Sequence, residues 1–530
     1  MRALLALAAA LLATGCSVPL EGAACTAPGE AASCPSGQAC GIDLRCSTGA
    51  AQCAAMCIPG DPGSAPRCSS DGKGIERCTS ADPVCGAWQV AAADDCDAQQ
   101  LVCAGGAAPA CQCKPAGPVF VADAAGGATS ASLAPSGAGA PVACRFRSLG
   151  AALAAAGAYA TANGSATVSI QGGKGTFGKT ATGESFPLTV PAGVTLTGSE
   201  SPLDPTQHVI LVDDSGAATA VQLGDGARLA GVAIQDQDAT GTGVAVSCAA
   251  QAVSLDTVTV EAVALAPATG VLATGISIGG ACEVDLTGVT VQGASGIGID
   301  VNRSAPTALV ATTGLVLDQN GTGLRLEEGN VTLGGATVKR SVGTGVDATT
   351  STSGNPSLTI QGGAFHHNGD TAVALQGNAL VAITGAQICQ NGAVRTWGPG
   401  TARKVGGVVG IGFAPSTFAF TGNLVHDNAG DQVLIAASGA STWALDGVVS
   451  GVANCTAGAM NVFSGYASGT YGLVANGAKV SATFDLWSGG NLPASNQDYQ
   501  TYNGGTVNAV GTSGNDYCLM PPTLSCPPAQ

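Results

Sequence analysis

Two short clusters of histidine and aspartate could take part in catalysis, because imidazole and carboxylate groups exchange protons readily. His366 and His367 are followed by Asp370, and a second pair, His426 and Asp427, lies further along the chain. An imidazole beside a carboxylate can serve as a general acid or base, and both groups can ligate metal ions. We therefore treat His366, Asp370, His426 and Asp427 as weak catalytic candidates.

A set of cationic and aromatic side chains lies between the two clusters, in the stretch 391–406. It contains Arg395, Trp397, Arg403 and Lys404. Long loops on a rigid scaffold are frequent binding sites, and an aromatic ring beside cationic donors suits a sugar or an acidic glycan. These four residues form the predicted binding site. The alternative is a solvated rim in which the tryptophan only covers the edge of the fold.

The elements that must position these side chains are short strands punctuated by glycine. The chain holds 79 Gly in 530 residues, and an eight-residue frame of the type Val284–Val291 recurs ten times. The fifth residue of the frame is glycine in nine cases, and the exception is Thr257. The frames begin, 21–37 residues apart, at Val194, Ala227, Val253, Val284, Val310, Val331, Leu358, Val381, Phe418 and Trp443.

A second strand follows most frames after a short turn, as in Gly243–Val246 and Gly296–Ile299. Its alternation of apolar residues is typical of a half-buried strand. Two or three short strands per repeat, without an intervening helix, can form one rung of a coil whose apolar residues are buried only against neighbouring rungs. The repeat therefore predicts an all-β protein, a parallel β-helix.

Asparagine recurs ten residues after four of the frame starts. The four residues are Asn320, Asn368, Asn391 and Asn428. Asparagine tolerates left-handed backbone geometry at turns, so stacked copies are predicted to form an asparagine ladder. Ser341 takes this place in one intervening frame and is expected to break the ladder.

The same stacking separates the histidines. In register, His366 and His426 lie two strand spacings apart, about 10 Å, with Cys389 between them. That distance is too long for one metal ion unless a loop brings the rings together. No metal site is predicted.

Segments before the repeat resemble a known superfamily. Phe120–Asp123, Phe146–Leu153 and Gly175–Gly178 resemble the start of pectin-lyase-like β-helix proteins. Glu184–Leu196 resembles the DUF1565 family within that superfamily. The resemblance implies a right-handed parallel β-helix and implies no reaction. We expect a start and N-terminal cap over 119–193, which includes a helix at about 148–160, then coils over 194–480 and a C-terminal cap or tail over 481–530.

Carbohydrate enzymes of this superfamily, by the same resemblance, use calcium held by clustered aspartates with an arginine base, or paired aspartates as acid and base. The chain offers Asp213–Asp214 and Asp236 with Asp238, and the sequence after Asp213 is typical of a turn. The sequence motifs of polygalacturonases and pectate lyases are absent. Calcium is the one cofactor left open. We expect a glycan-binding, protein-binding or structural role, with a polysaccharide lyase or glycoside hydrolase as the alternative.

The N-terminal residues have the pattern of an exported protein. Arg2 precedes the apolar stretch Ala3–Ala13, and Ala13-Thr14-Gly15 leads to Cys16, which resembles the lipobox of bacterial lipoproteins. By that resemblance, residues 1–15 are a signal peptide, Cys16 is lipidated and residues 16–24 form a tether. An ordinary cleaved secretory signal is the alternative. Ser17 is not the aspartate that retains enterobacterial lipoproteins at the inner membrane, so an outer-membrane anchor is favoured.

The cysteines also indicate export. The chain has 21 Cys, and removing Cys16 leaves an even set typical of disulfides in an oxidising compartment. They favour two disulfide-rich modules, 25–58 and 64–114, on either side of Pro59–Gly63. Further along the chain we expect the disulfide pairs Cys248–Cys282, Cys518–Cys526 and Cys389–Cys455.

Charge limits the partners. The chain has 19 basic and 35 acidic residues, a net charge of −16, which argues against binding to nucleic acid. The expected partners are the membrane, through the lipid, and a polysaccharide or surface protein. Near the C-terminus, Trp487, Tyr499, Tyr502 and Tyr517 are expected to cap the last rung.

Overall fold

The structure is a computed structural model of the 530-residue chain. It describes residues 24, 39–40, 45–47, 57, 64–79, 87–97, 102–104, 109–112, 117–123, 144–170, 175–198, 209–213, 215–236, 240–262, 272–302, 304–305, 308–349, 356–376, 380–397, 403–412, 418–437, 442–445, 461–465, 469–482, 486–487, 498–508 and 525–528. The predicted signal peptide, Cys16, Cys455, Tyr517 and Cys518 lie outside the described residues. Among the described residues, no helix is both long and apolar enough to cross a membrane.

The chain divides into two compact units, and the first comprises residues 1–116 and 131–144. Its described strands are β1 (Ala39–Cys40), β2 (Cys46–Ser47), β3 (Arg67–Cys68), β4 (Gly74–Thr79), β5 (Ala87–Asp95), β6 (Val102–Ala104) and β7 (Ala110–Gln112). They pair antiparallel as β1–β2, β3–β4–β5 and β6–β7.

Disulfides cross-link this unit. Those among its described residues include Cys57–Cys78, Cys68–Cys103 and Cys96–Cys111, and Cys144 is also disulfide-bonded. The bond from Cys57 to Cys78 spans the Pro59–Gly63 segment. The two modules predicted on either side of that segment are therefore covalently joined.

The second unit, residues 117–130 and 145–530, is a right-handed parallel β-helix, which confirms the predicted fold class. Three long parallel sheets run along it. The first contains β8 (Val119–Ala122), β9 (Arg145–Phe146), β10 (Ala166–Ile170), β13 (Val194–Thr197), β16 (Arg228–Ala230), β19 (Val253–Asp256), β22 (Glu283–Thr287), β25 (Leu309–Thr313), β28 (Asn330–Gly334), β31 (Ser357–Gln361), β34 (Leu380–Thr384) and β38 (Phe418–Thr421).

The second and third sheets complete each rung. The second contains β11 (Gly175–Gly178), β14 (Val209–Asp213), β17 (Val232–Asp236), β20 (Thr259–Ala262), β23 (Thr290–Gln292), β26 (Val316–Asp318), β29 (Thr337–Lys339), β32 (Ala364–His366), β35 (Gln387–Cys389), β39 (Leu424–His426), β42 (Val462–Ser464) and β45 (Leu486–Trp487). The third contains β12 (Leu188–Val190), β15 (Thr219–Leu223), β18 (Thr242–Ser247), β21 (Thr274–Gly279), β24 (Ile297–Val301), β27 (Thr322–Leu326), β30 (Val346–Thr349), β33 (Val373–Gln376), β37 (Arg403–Ile411), β40 (Asp431–Ala436), β43 (Leu473–Asn476) and β46 (Tyr499–Tyr502).

The sequence frames stack in register. Val253 is the partner of Val284, Val284 of Val310, and Val310 of Val331. The series of frame starts continues without offset to the partners Val381 and Phe418. The core consists of the inward residues of these strands, mainly Val, Leu and Ile, and most of them are fully buried.

The glycine of seven frames forms a left-handed corner between the first and second sheets, whereas Gly198 has no positive φ and Gly447 lies outside the described residues. Gly231, Gly288, Gly314, Gly335, Gly362, Gly385 and Gly422 all have φ between 60° and 70°. Thr257 occupies the same corner with φ 54°. The repeat therefore marks a left-handed backbone position, which glycine adopts without steric cost.

The predicted asparagine ladder is present at the corner between the second and third sheets. Each backbone N–H at this position donates to the side-chain oxygen of the next asparagine: Ser341 to Asn368, Asn368 to Asn391, and Asn391 to Asn428, at 3.0–3.1 Å. Asn320 makes the same contacts with the preceding rung: it accepts the Ala294 N–H and donates to the Val291 carbonyl, each at 3.0 Å. The Ser341 hydroxyl has no hydrogen-bond partner, so the ladder is broken where the sequence predicted.

The N-terminal end of the β-helix is covered by a helix, Leu149–Asn163, close to the predicted 148–160. Ser148 is its N-cap, and buried Glu184 accepts hydrogen bonds from the Leu149 and Gly150 N–H groups at 2.6 and 2.9 Å. A carboxylate stabilises a helix N-terminus because the free N–H groups and the helix dipole point toward it. A second, short helix spans Lys179–Thr182.

The coil continues beyond the predicted boundary at 480. β45 and β46 pair in parallel with β42 and β43, and β41 (Thr442–Ala444), β44 (Lys479–Ser481) and β47 (Thr506–Asn508) form a further parallel sheet. Trp487 lies in β45 and Tyr499 and Tyr502 lie in β46, the last strands of the second and third sheets.

Two disulfides between described residues tie the coil together. Cys248–Cys282 joins neighbouring rungs, as expected from the sequence. Cys526 pairs with Cys389, so the expected pairs Cys518–Cys526 and Cys389–Cys455 were wrong. The physical reason is that the tail returns to the outer face of the second sheet, which places Cys526 beside Cys389.

Candidate functional site

A column of charged side chains runs along the outer face of the third sheet. Asp300 in β24, Arg325 in β27 and Asp347 in β30 are register partners on successive rungs. Arg325 donates to both Asp300 carboxylate oxygens at 2.8 Å and lies 3.7 Å from Glu327. We call Asp300, Arg325, Asp347 and the flanking Glu327, Asp370 and Arg395 the charged column.

Arg395 extends this column from the loop predicted to bind ligand. Its guanidinium lies 3.4 Å from Asp370 and 3.7 Å from Asp347, and 4.8 Å from the centre of the Trp397 ring. Asp370 also accepts the Val394 and Arg395 backbone N–H groups at 3.0 Å. The Arg395 and Arg325 side chains remain 45 % and 40 % exposed, so solvent can reach this part of the column.

Beyond Asp347, the same line of outer positions turns apolar. The register partners that follow are Ala374, Val409, Leu434 and Val474. All four are fully buried, because a hairpin folds over them. Its short strand β36 (Thr396–Trp397) pairs antiparallel with the start of β37.

Trp397 is the centre of this cover. Only 6 % of the residue is exposed, and its indole N–H donates to the Thr371 hydroxyl at 3.0 Å. That hydroxyl in turn donates to the Val405 carbonyl at 2.7 Å. Little of the Trp397 side chain is therefore left for the ligand contact predicted from the sequence. The alternative, a tryptophan covering the edge of the fold, matches its position.

The two remaining predicted binding residues differ from each other. Arg403 donates two hydrogen bonds, 2.6 and 2.7 Å long, to fully buried Asp431, and packs on the Tyr471 ring. This hydrogen bonding raises the pKa of Arg403 and indicates a structural role, so it does not serve a ligand as predicted. Lys404 is exposed.

The predicted catalytic candidates do not converge. His366, Cys389 and His426 are successive register partners on the outer face of the second sheet, as the stacking predicted. Asp370 belongs to the charged column instead. His366 and His426 are at most 1 % exposed, so neither ring can contact a large substrate.

Each histidine has its own partner. His426 Nδ1 lies 2.8 Å from the Asp427 carboxylate, and its Nε2 lies 3.2 Å from Gln387. His366 Nδ1 lies 2.7 Å from Nδ1 of His367. Burial, followed by the nearby His367 and Lys339, lowers the pKa of His366 to about 4, so this imidazole is neutral at physiological pH.

Of the four aspartates weighed as an enzyme signature, Asp214 and Asp238 lie outside the described residues, and the other two lie inside the coil. Asp213 and Asp236 are register partners, and both are fully buried. Asp213 accepts hydrogen bonds from the Ser215 N–H and hydroxyl, which is the predicted turn. Neither carboxylate is placed to meet a polymer outside the coil.

Sequence reasoning missed the charged column. Asp300, Arg325 and Asp347 lie on different repeats, 25 and 22 residues apart, and none belongs to a recognisable motif. One signal was present in the sequence. Each of the three residues occupies an outward-facing polar position in the strand that follows its frame after a turn, and that strand belongs to the third sheet. Aligning those strands on their inward apolar residues, Ile299, Leu324 and Val346, places the three charges in one line.

The comparisons with known proteins concern part of the chain. Residues 139–346 match the family described as "Protein of unknown function (DUF1565)", which confirms the resemblance seen in the sequence. No curated protein matches the chain.

Several solved structures share the parallel β-helix. The A-modules of the Azotobacter vinelandii mannuronan C-5 epimerases AlgE4 and AlgE6 are 13 % and 15 % identical, with TM-scores of 0.36 and 0.35. Each comparison covers 68 % of this chain and 94 % of the epimerase module. Tailspike protein 3 of bacteriophage CBA120 is 12 % identical, with a TM-score of 0.34, over 68 % of this chain and 59 % of the tailspike.

Proposed function

We propose that the β-helix binds a neutral glycan along the charged column and does not cleave it. The observation that carries this proposal is the pair of half-exposed arginines, Arg325 and Arg395, each held in place by carboxylates. A fixed guanidinium keeps its remaining N–H groups directed outward, and donors fixed before binding lose little entropy when a ligand arrives.

The charge of the column favours a neutral ligand. It contains four carboxylates and two guanidinium groups, a net charge of −2 from the residues Asp300, Glu327, Asp347, Asp370, Arg325 and Arg395. This excess of negative charge would repel a uronate. Sugar hydroxyls, in contrast, can both donate to the carboxylates and accept from the arginines. Neighbouring rungs are about 4.8 Å apart, so a linear chain can bond several rungs in succession.

The same contacts argue against catalysis. A glycosidase needs two accessible carboxyl groups that flank the bond to be broken. Both oxygens of Asp300 are occupied by Arg325, and Asp370 is bonded to two backbone N–H groups and to Arg395. Carboxylates held in this way can still accept a hydrogen bond from a sugar hydroxyl, but they are not free to act as the acid and the nucleophile or base of a glycosidase.

The test is binding of the full chain to an array of neutral and uronate-containing oligosaccharides, followed by calorimetry on the best neutral ligand. Arg325→Ala and Arg395→Ala should each raise Kd about tenfold or more, which corresponds to ~1.4 kcal/mol. Arg228→Ala is the matched control, because Arg228 forms an exposed ion pair with Asp256 on the first sheet, away from the column.

Two outcomes would contradict the proposal. One is that all three variants weaken glycan binding equally, or that the unmodified chain binds no glycan at all. The other is the appearance of new reducing or unsaturated sugar ends, which would favour the lyase or hydrolase alternative. If that activity disappears in His366→Asn or Asp427→Asn, the histidine side of the coil is the catalytic one.

We further propose that the protein is exported and anchored through a lipid on Cys16, with the outer membrane as its location. The supporting observations are the sequence pattern of residues 1–16 and the disulfides in both units. Cells that express the chain should incorporate labelled fatty acid into it and partition it into detergent, and Cys16→Ser should abolish both. If Cys16→Ser carries no fatty-acid label but is exported at the wild-type level, secretion does not depend on lipidation.

A further inference from the structure

The return of the C-terminal tail creates a cluster of metal-ligating atoms on the outer face of the second sheet. His366 ends β32, His367 follows it, and Cys526 arrives from the tail. One ring nitrogen of each histidine and the Cys526 sulfur all lie within 4.8 Å of one another. Cys389 is bonded to Cys526, so its sulfur lies one S–S bond away from this cluster.

We propose that the dithiol form of Cys389 and Cys526 binds one Zn²⁺ together with His366 and His367. Two thiolates and two imidazoles are a ligand set that tetrahedral structural zinc sites use. In this proposal the metal takes the place of the S–S bond, and the tail stays attached to the coil in either state.

A dithiol reductant supplies two electrons and two protons, the Cys389–Cys526 bond breaks into two thiols, and the reductant is oxidised to its own disulfide. Zn²⁺ then displaces the two thiol protons to solvent. Two thiolate charges cancel the charge of the ion, and the resulting neutral complex is far less costly to bury than a free cation.

Backbone geometry brings the two rings together. His367 occupies the left-handed corner between the second and third sheets, with φ 57°, and its ring returns to within 2.7 Å of the His366 ring. The same corner holds Gln319, Arg340, Gln390 and Asp427 on other rungs. Among the described residues, this is the one left-handed corner that carries a histidine next to another histidine.

The surroundings permit a cation. The nearest basic side chains, Lys339 and Arg340, are each paired with Asp318, which offsets their repulsion. His366 is buried, whereas His367 and Cys526 are partly exposed, so an ion can reach the ligands from solvent.

The experiment measures protection of individual cysteines in the full chain. The folded protein is treated with a dithiol, divided into samples with and without Zn²⁺, alkylated, and mapped by peptide mass spectrometry. Zinc should slow alkylation of Cys389 and Cys526 by about tenfold or more, because a metal-bound thiolate is a poor nucleophile. Cys248 and Cys282 are the internal control, since their disulfide adjoins no such cluster among the described residues, and zinc should leave their alkylation rates unchanged.

Replacing the imidazoles distinguishes a built site from general thiol binding. His367→Asn should abolish the zinc protection of Cys389 and Cys526, and asparagine fits the left-handed corner well. His366→Asn should have the same effect. Both variants keep the disulfide, so circular dichroism before reduction verifies the fold. If zinc protects these cysteines equally in the variants, or protects Cys248 and Cys282 as strongly, the proposal is wrong.

Discussion

The smallest features with energetic consequences in this protein are the left-handed corners between the first and second sheets. Glycine adopts their φ of about 60° freely, whereas an L-residue with a Cβ pays about 1–2 kcal/mol there. Thr257 does so with a β-branched side chain, at φ 54°. Its hydroxyl donates to the neighbouring Asp256 carboxylate at 3.0 Å, a partly exposed contact that compensates little.

Thr257→Gly should therefore stabilise the protein by about 0.5–1 kcal/mol, because the relief of backbone strain exceeds the added entropy of the unfolded chain. Urea unfolding followed by circular dichroism measures the change. Thr290→Gly is the matched control, since Thr290 lies within strand β23 and glycine there should destabilise. A loss of stability in Thr257→Gly would show that the corner does not strain threonine.

The asparagine ladder is the feature that joins elements across rungs. Asn391 shows how a complete step works: its amide donates to the Phe365 and Cys389 carbonyls and to the Asn428 side chain, at 2.8–3.1 Å. Ser341 is too short to reach its neighbours in this way. Position 341 has space for a longer side chain, because Gly323 lies opposite it. Gly298 faces Asn320 and Gly345 faces Asn368 in the same way.

Ser341→Asn should complete the ladder and stabilise the coil by about 1 kcal/mol, the typical value of one net buried hydrogen bond. The new side chain is expected to accept the Asn320 N–H and to donate to the Asn368 side chain or to a carbonyl of the preceding rung. Amide hydrogen exchange tests this directly, since the Asn320 N–H should become more protected. Ser341→Ala, which adds no such bond, provides the baseline, and equal protection in both variants would argue against a vacant ladder step.

At the scale of the whole molecule, one line of outer positions on the third sheet is divided between two tasks. Asp300, Arg325 and Asp347 stay open to solvent in part, whereas Ala374 and the apolar residues after it are buried under the hairpin of Trp397. An uncovered apolar stripe of this length would be a site of aggregation. The hairpin protects that stripe and also positions Arg395 at the end of the charged column.

Trp397→Ala should cost about 3–5 kcal/mol, the usual effect of truncating a buried aromatic side chain. It should also expose the stripe, so binding of a hydrophobic dye should increase before the main thermal transition. Trp397→Phe is the control: it keeps a ring over the stripe and loses only the hydrogen bond to Thr371. Wild-type melting and dye binding in the alanine variant would mean that the hairpin does not cover this face.

The sequence by itself determined the repeat and everything that the repeat dictates. Corner glycines and the alternation of apolar residues recur in most rungs, and asparagine returns at a constant offset in four of them. This local pattern was enough to predict the fold, the register of Val284 on Val310, and the gap at Ser341. Glu184 lay within the segment that indicated the family, although its capping of the helix at Leu149 was not foreseen.

Only the tertiary structure decided what lies against the outside of the coil. Cys389 and Cys526 are 137 residues apart, and no local pattern relates them, so the sequence assigned both to other partners. Trp397, an aromatic residue close to arginines, was predicted from the sequence to bind a ligand, but the hairpin buries its side chain. Contacts inside the coil repeat from rung to rung, so the period of the sequence repeat predicts them. Contacts on the outer surface of the coil depend on loops of unequal length, whose paths are set by packing.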